Sequence, residues 1–83
     1  MKIHINKSVI SKTIDNTEMI LNVETGIYHE LNESGSLVWS IIKDNNFSKE
    51  ELTEKLNLLY KDDLIDINEF LDDLRKSELI EFL

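Results

Sequence analysis

Leu21-Asn22-Val23-Glu24-Thr25-Gly26-Ile27-Tyr28-His29-Glu30-Leu31-Asn32-Glu33-Ser34-Gly35-Ser36-Leu37-Val38-Trp39 contains the point at which the hydrophobic period changes from two to about 3.6. On its N-terminal side a β-branched run is followed by Glu24-Thr25-Gly26, where glycine supplies the positive φ of a tight hairpin. A second run, Ile27 to Leu31, comes straight after. Asn32 is then placed to cap a helix whose apolar residues recur at helical spacing. Strands therefore lie before Leu31 and helices after it.

The same reading extends in both directions. Toward the N-terminus, Met19 to Val23 pairs with an earlier segment, Ser8 to Ile14, that carries Val9, Ile10 and Ile14 with polar residues between. Asp15-Asn16-Thr17 supplies the turn, and Met1 to Ile5 adds a frayed strand. Toward the C-terminus, Leu37, Val38, Ile41 and Ile42 form the apolar face of the first helix, with Trp39 at its edge and Asp44-Asn45-Asn46 closing it. Ser48 and Glu51 form a capping box for a second helix with Leu52, Leu56, Leu59 and Tyr60 on one face. Asp66 and Glu69 open a third, with Ile67, Phe70, Leu71 and Leu74 inward and Arg75 and Lys76 at its C-terminal end. Leu79 to Leu83 is too apolar to hang free and packs back as a short extended segment. The expected fold is α+β: a three-stranded antiparallel β-meander followed by a three-helix bundle, resembling a winged helix-turn-helix.

Eighty-three residues with no proline and two glycines leave no room for a linker, so residues 1–83 are expected to share one core. Cysteine is absent, which excludes disulfides, thiolate nucleophiles and Cys-ligated metals and fits a cytoplasmic location. The N-terminus has no signal-like apolar stretch, and no run approaches the roughly 18 apolar residues of a membrane span. Seventeen acidic residues against nine basic ones give a net charge of −8, which opposes binding to phosphate backbones and anionic membranes.

Catalytic constellations are missing. No Gly-rich phosphate loop, Gly-x-Ser-x-Gly elbow or His-Glu-x-x-His occurs. His4 and His29 could meet across neighbouring strands and ligate a metal, but they have no characteristic metal-binding spacing. Asp62, Asp63, Asp66 and Asn68 lack the spacing and glycine of a calcium loop. Asp72-Asp73 and Glu50-Glu51 read as solvated helix faces. A winged-helix DNA-binding regulator is the rival reading, yet the second helix carries Glu50, Glu51 and Glu54 against Lys49 and Lys55. The third carries Asp66, Glu69, Asp72 and Asp73 against Arg75 and Lys76. Neither presents the basic face that phosphate contacts require.

The sheet edge is the remaining candidate. Lys12 stands in the first strand as a guard against pairing, whereas Ile27 to Leu31 contains neither Lys nor Pro. Either that strand is free to accept a peptide by β-augmentation, or it is central or covered.

The Leu21 to Trp39 segment resembles the PqqD-like proteins: a hairpin with a Thr-Gly turn and an aromatic strand, then a Leu-Asn-Glu step into a helix with a small residue and a Val-Trp pair. Phe47-Ser48-Lys49-Glu50-Glu51-Leu52 resembles the family's start to its second helix, and Ile67 to Leu74 its third. Ser77-Glu78-Leu79-Ile80 stands where the family closes with x-Gly-Leu-Ile, here without the glycine. The resemblance spans residues 8 to 82 and is most specific from Leu31 to Trp39.

This resemblance implies a non-catalytic recognition element that binds the leader of a ribosomally made precursor peptide and presents it to modifying enzymes. In that family the leader adds a strand to the third strand and lies against the third helix. By position, these are Ile27, Tyr28, His29, Glu30 and Leu31, faced by Ile67, Phe70, Leu71, Leu74 and Arg75. Alternation puts Ile27, His29 and Leu31 on one face and Tyr28 and Glu30 on the other, and either set could line the groove. Phe70, Leu71 and Leu74 belong either to the groove or to the core. Trp39 reads as a core anchor and Asn32 as a cap. The implied partners are the leader peptide and a separate protease, cyclase or radical SAM enzyme, with the lasso-peptide protease partners the most similar type. No cofactor, nucleic acid or membrane is expected, and the unguarded edge admits a monomer or a weak homodimer.

Overall fold

The computed structural model describes residues 1–44, 46–59 and 66–83. Asn45, Tyr60, Asp62 and Asp63, which entered the helix and calcium-loop readings, lie outside the described residues. In chain order the elements are β1 (Ile3–Ile5), β2 (Val9–Ile14), β3 (Thr17–Asn22), β4 (Ile27–Leu31), α1 (Glu33–Asp44), α2 (Lys49–Leu59), α3 (Ile67–Lys76) and β5 (Ile80–Phe82). The antiparallel meander β2-β3-β4 and the three helices are those expected from the sequence.

Local chemistry accounts for the turns. Ile14 pairs with Thr17, leaving a two-residue loop in which Asp15 (φ 50°) and Asn16 (φ 64°) both adopt the left-handed conformation. That combination matches the right-handed twist of the flanking strands. At the second hairpin Gly26 takes φ 74° and its N–H donates to the Asn22 carbonyl at 2.8 Å. A Cβ at Gly26 would meet nothing within 4 Å, so glycine is needed there for its backbone freedom.

Asn22 joins this hairpin to the far end of the chain. Its side chain is buried, and Oδ1 accepts from the Glu24 and Thr25 amides at 2.9 and 3.2 Å. Its Nδ2 donates to the Glu78 carbonyl at 3.0 Å, the same oxygen that accepts from Asn6 Nδ2. Both ends of a buried polar side chain are thus satisfied. Glu78 itself sits at φ 61°, a conformation that strains a residue bearing a Cβ.

The two chain ends form a second sheet. Far from fraying, β1 pairs with β5 in the register Ile3↔Phe82, His4↔Glu81 and Ile5↔Ile80, and Ile3 and Ile80 are buried. Ile3 N donates to Phe47 O at 2.7 Å, and Lys2 bridges to Ser48 at the start of α2. There the capping box is reciprocal: Ser48 Oγ accepts from Glu51 N at 3.2 Å and Glu51 Oε1 from Ser48 N at 3.0 Å. Lys2 Nζ donates to the same carboxylate oxygen.

The core gathers Ile3, Ile20, Val38, Trp39, Ile42, Leu52, Leu56, Leu71, Leu74, Leu79 and Ile80. Trp39 is fully buried at 0% exposure, with its indole N–H 3.4 Å from Ser11 Oγ on β2. The buried face of α1 is therefore Gly35, Ser36, Val38, Trp39 and Ile42. It is turned from the expected Leu37-Val38-Ile41-Ile42 face, because α1 must seat its largest side chain and bring Gly35 and Ser36 against neighbouring elements. Leu37 lies at the surface and Ile41 is half-buried. On α2, Leu52 and Leu56 are buried, whereas Leu59, expected on that face, is 52% exposed. Leu59 lies beyond the reach of the core that covers the earlier turns of α2.

Replacing Glu78 by glycine relieves the left-handed strain, roughly 1–2 kcal/mol, against a smaller gain in unfolded-chain entropy. Glu78→Gly is expected to raise the unfolding free energy by about 0.5–1 kcal/mol, which urea titration will read directly. A second expectation concerns pH. Hydrogen bonds from Lys2 and from the Ser48 amide and hydroxyl hold Glu51 down from 4.5 to about 2. A depressed carboxylate stabilises the fold above its unfolded pKa and loses that contribution as pH falls through the folded value. The stability difference between wild type and Glu51→Gln should therefore be full above pH 4.5 and shrink toward pH 2, as denaturant titrations across that window will show.

Candidate functional site

Among the described residues β4 is the last strand of its sheet, paired with β3 on one side only. Alternate peptide groups of an antiparallel strand turn away from its neighbour, so one row of β4 N–H and C=O groups faces outward along Ile27 to Leu31. No Lys or Pro guards it.

The register decides which β4 side chains face the helices. Glu18, Ile20 and Asn22 are the buried residues of β3, and their partners across the ladder are Leu31, His29 and Ile27. Ile27, His29 and Leu31 thus share the helix-facing side. Leu31 packs on the core and His29 is half-buried. Ile27, at the open end, is 54% exposed. Tyr28, 66% exposed, and Glu30 project from the opposite face.

α1 approaches α3 beside Leu31. A Cβ built on Gly35 would lie 3.2 Å from Phe70 Cε1, 3.2 Å from Asn32 Oδ1 and 3.4 Å from Leu31 Cβ. Glycine therefore lets the Phe70 ring settle at the N-terminus of α1, next to the end of β4. Asn32 caps that helix, its Oδ1 accepting from Gly35 N at 2.8 Å, as expected. Asp66 caps α3 by accepting from Glu69 N at 3.2 Å.

The α3 residues separate into two groups. Leu71 and Leu74 are buried at 2% and 4% exposure and serve the core. Ile67 and Phe70 are half-buried at its margin. Arg75 Nη2 donates to Asp72 Oδ1 at 2.9 Å, and Lys76 Nζ lies 3.0 Å from Asp72 Oδ2. Both cations of the helix are therefore engaged on one carboxylate. Asp66, Phe70 and Asp73 follow one another at helical spacing on the same stripe, so acidic groups flank the aromatic ring. Gly35 was the residue of the site that the hydrophobic pattern did not single out. Its signal was a glycine within a helical pattern, which marks close backbone approach.

His4 and His29 stand on different sheets, His4 opposite Glu81 and His29 opposite Ile20. They do not meet across neighbouring strands. Among the described residues no three His, Cys, Asp or Glu side chains converge to hold a metal. No described helix is long and apolar enough to cross a membrane. The outer face of the meander is apolar, with an open depression of about 270 Å³ lined by Ile10, Ser11, Lys12, Ile14, Met19, Leu21 and Tyr28.

The family model described as coenzyme PQQ synthesis protein D (PqqD) matches residues 19–80, well over half of the chain. No curated protein matches. Among solved structures, "TbiB1 in Complex with the TbiA(beta) Leader Peptide" superposes with a TM-score of 0.81 at 28% identity, covering 96% of each chain. "Lasso peptide synthetase B1 complexed with the leader peptide" superposes with a TM-score of 0.78 at 16% identity, covering 98% of this chain and 99% of that one. The second likeness concerns the fold.

The two α3 positions are separable by mutation. Leu74→Arg places an unpaired charge in the core and should abolish cooperative unfolding. Phe70→Ala, at the margin, should lower stability by only about 1–2 kcal/mol and keep a dispersed amide spectrum. Chemical denaturation followed by tryptophan fluorescence distinguishes them.

Proposed function

We propose that this chain, which belongs to the PqqD family, is a non-catalytic recognition module that binds the leader region of a ribosomally synthesised precursor peptide and presents it to modifying enzymes in the cytoplasm. The observation that carries the reading is the edge of β4, unpaired on one side among the described residues, with Leu31 and Phe70 both close to Gly35 at its end. The likeness to TbiB1, solved with a leader peptide, supports it. The peptide adds a strand through main-chain hydrogen bonds to the outward-facing peptide groups along Ile27 to Leu31. Its inward side chains lie over Ile27, His29 and Leu31 and against Ile67 and Phe70. Leu71 and Leu74 anchor α3 in the core, and Arg75 borders the groove.

Charge suggests what kind of leader fits. Asp66 and Asp73 flank Phe70, and the chain as a whole carries −8, so an apolar side chain bracketed by basic ones is the complementary ligand. An added strand also extends the outer face that already exposes Ile10, Ile14 and Tyr28. A modifying enzyme that covers this face therefore touches module and leader together. Tethering raises the concentration of the peptide's remaining part at that enzyme without any chemistry by the module. A protease of the lasso-peptide type is the partner we favour, because a structure of this fold is a lasso peptide synthetase B1 complexed with the leader peptide. No reading as a DNA-binding regulator is needed: α2 and α3 offer acidic surfaces where a duplex requires basic ones.

Amide NMR of the labelled protein, titrated with the leader half of a candidate precursor and with duplex DNA as control, tests the proposal. Leader should shift Ile27 to Leu31 and the Ile67–Phe70 turn, and Phe70→Ala should weaken binding by about tenfold or more. Shifts confined to other elements, or caused by DNA alone, would overturn it.

A further inference from the structure

Apart from the β4 groove, the described residues hold one buried charged side chain, Glu18, 3% exposed on the inner face of β3. Its Oε2 accepts from Thr13 Oγ1 at 2.7 Å, but Oε1 is buried with no hydrogen-bond partner. A buried acceptor left unmatched costs about 1–3 kcal/mol, more when charged, so the orphan oxygen requires a physical account.

Glu18 lines a cleft of about 310 Å³ between the β2–β3 hairpin and α1, together with Thr13, Asn16, Glu33, Ser36, Leu37 and Ser40. No Lys, Arg or His is among them. The hydroxyl protons are already committed: Thr13 Oγ1 donates to Glu18, Ser36 Oγ to Leu31 O at 3.3 Å, and Ser40 Oγ to Leu37 O at 2.7 Å. What the cleft offers an incoming group is therefore mostly lone pairs and negative charge, with the Asn16 amide at the rim.

We propose that this cleft is a docking site for the ammonium group of a lysine side chain carried by a partner protein. A surplus of acceptors calls for a donor, and the unpaired carboxylate oxygen calls for a cation. Lysine fits better than arginine. A guanidinium gains most from a bidentate carboxylate, and Thr13 already occupies one oxygen of Glu18. An ammonium places three donors on one atom, matching Glu18 Oε1 with the lone pairs of Thr13 and Ser40. Because Oε1 is shielded in the structure, capture includes a rotamer change of the Glu18 side chain that brings this oxygen to the cleft. The net charge of −8 draws basic partner surfaces toward the chain. This site is separate from the β4 groove, and the proposal does not depend on leader binding.

The probe is n-butylammonium chloride, added to protein with ¹³C-labelled glutamate carboxyls, with sodium chloride, tetramethylammonium chloride and n-butylguanidinium chloride at matched ionic strength. Saturable shifts of the Glu18 carboxyl carbon and the Ser36 and Ser40 amides with butylammonium, weaker with butylguanidinium and absent in Glu18→Gln, support the site. Equal shifts with sodium or tetramethylammonium, or their persistence in Glu18→Gln, overturn it. A tethered version removes dependence on a weak probe. Ser40→Lys should raise the folding equilibrium constant by about tenfold more in the wild-type background than in Glu18→Gln. An identical effect in both backgrounds would also overturn the proposal.

Discussion

In β3 every second side chain is withdrawn from water: Glu18, Ile20 and Asn22. This alternation, between two antiparallel neighbours, is the constraint on which the rest of the molecule depends. A one-residue slip would turn the whole set outward, so the ladder has a single acceptable register. That register directs Leu31, His29 and Ile27 toward the helices and places Ser11 within reach of Trp39, while among the described residues β4 pairs with β3 alone. Asn22, at one end of the same strand, ties the second hairpin to the turn before β5 through the Glu78 carbonyl. The face that β4 turns toward the helices is thus a by-product of how the central strand is buried.

What could be read from the residues was the part governed by short-range chemistry. The limits of β4, the positive φ of Gly26, the Asn32 and Asp66 caps and the Ser48–Glu51 box each depend on a few neighbouring residues, and each is present in the structure. The orientation of α1 was not legible, because periodicity allowed Leu37 and Ile41 on the inner face. Only the volume of Trp39 and the close contact of Gly35 with α3 decide otherwise. Leu59 belongs to an apolar stripe by spacing but lies past the core. The choice between core and groove for Phe70 and Leu74 needed the third dimension: two residues four positions apart on one helix face can differ in burial by where the neighbouring layer ends. Glu18 and Asn22 gave no local sign of burial, since Glu18 is held from β2 and α1 and the Asn22 Nδ2 finds its acceptor in the loop before β5.

The balance of charge around the groove follows from the same economy of contacts. Arg75 and Lys76 complement the C-terminal end of α3, yet both are drawn onto Asp72. The carboxylates of Asp66 and Asp73 are left to set the sign of the field beside Phe70. An edge strand with exposed main-chain groups is open to self-association. A like-charged second copy of this chain meets electrostatic resistance that a basic peptide does not.

The pairing of β1 with β5 brings Lys2 and Leu83 into mutual main-chain hydrogen bonding, N to O at 2.6 and 2.9 Å. The chain enters and leaves the fold at one place, on the two-stranded sheet, while the β4 edge belongs to the other sheet. In topological terms the domain is nearly closed on itself. A few residues would suffice to join its ends, and the β2–β3 loop at Asp15-Asn16 is a natural place to open new ones. The same geometry suits insertion into a loop of a larger protein, because a host needs only two anchor points side by side to carry it with the β4 edge unobstructed.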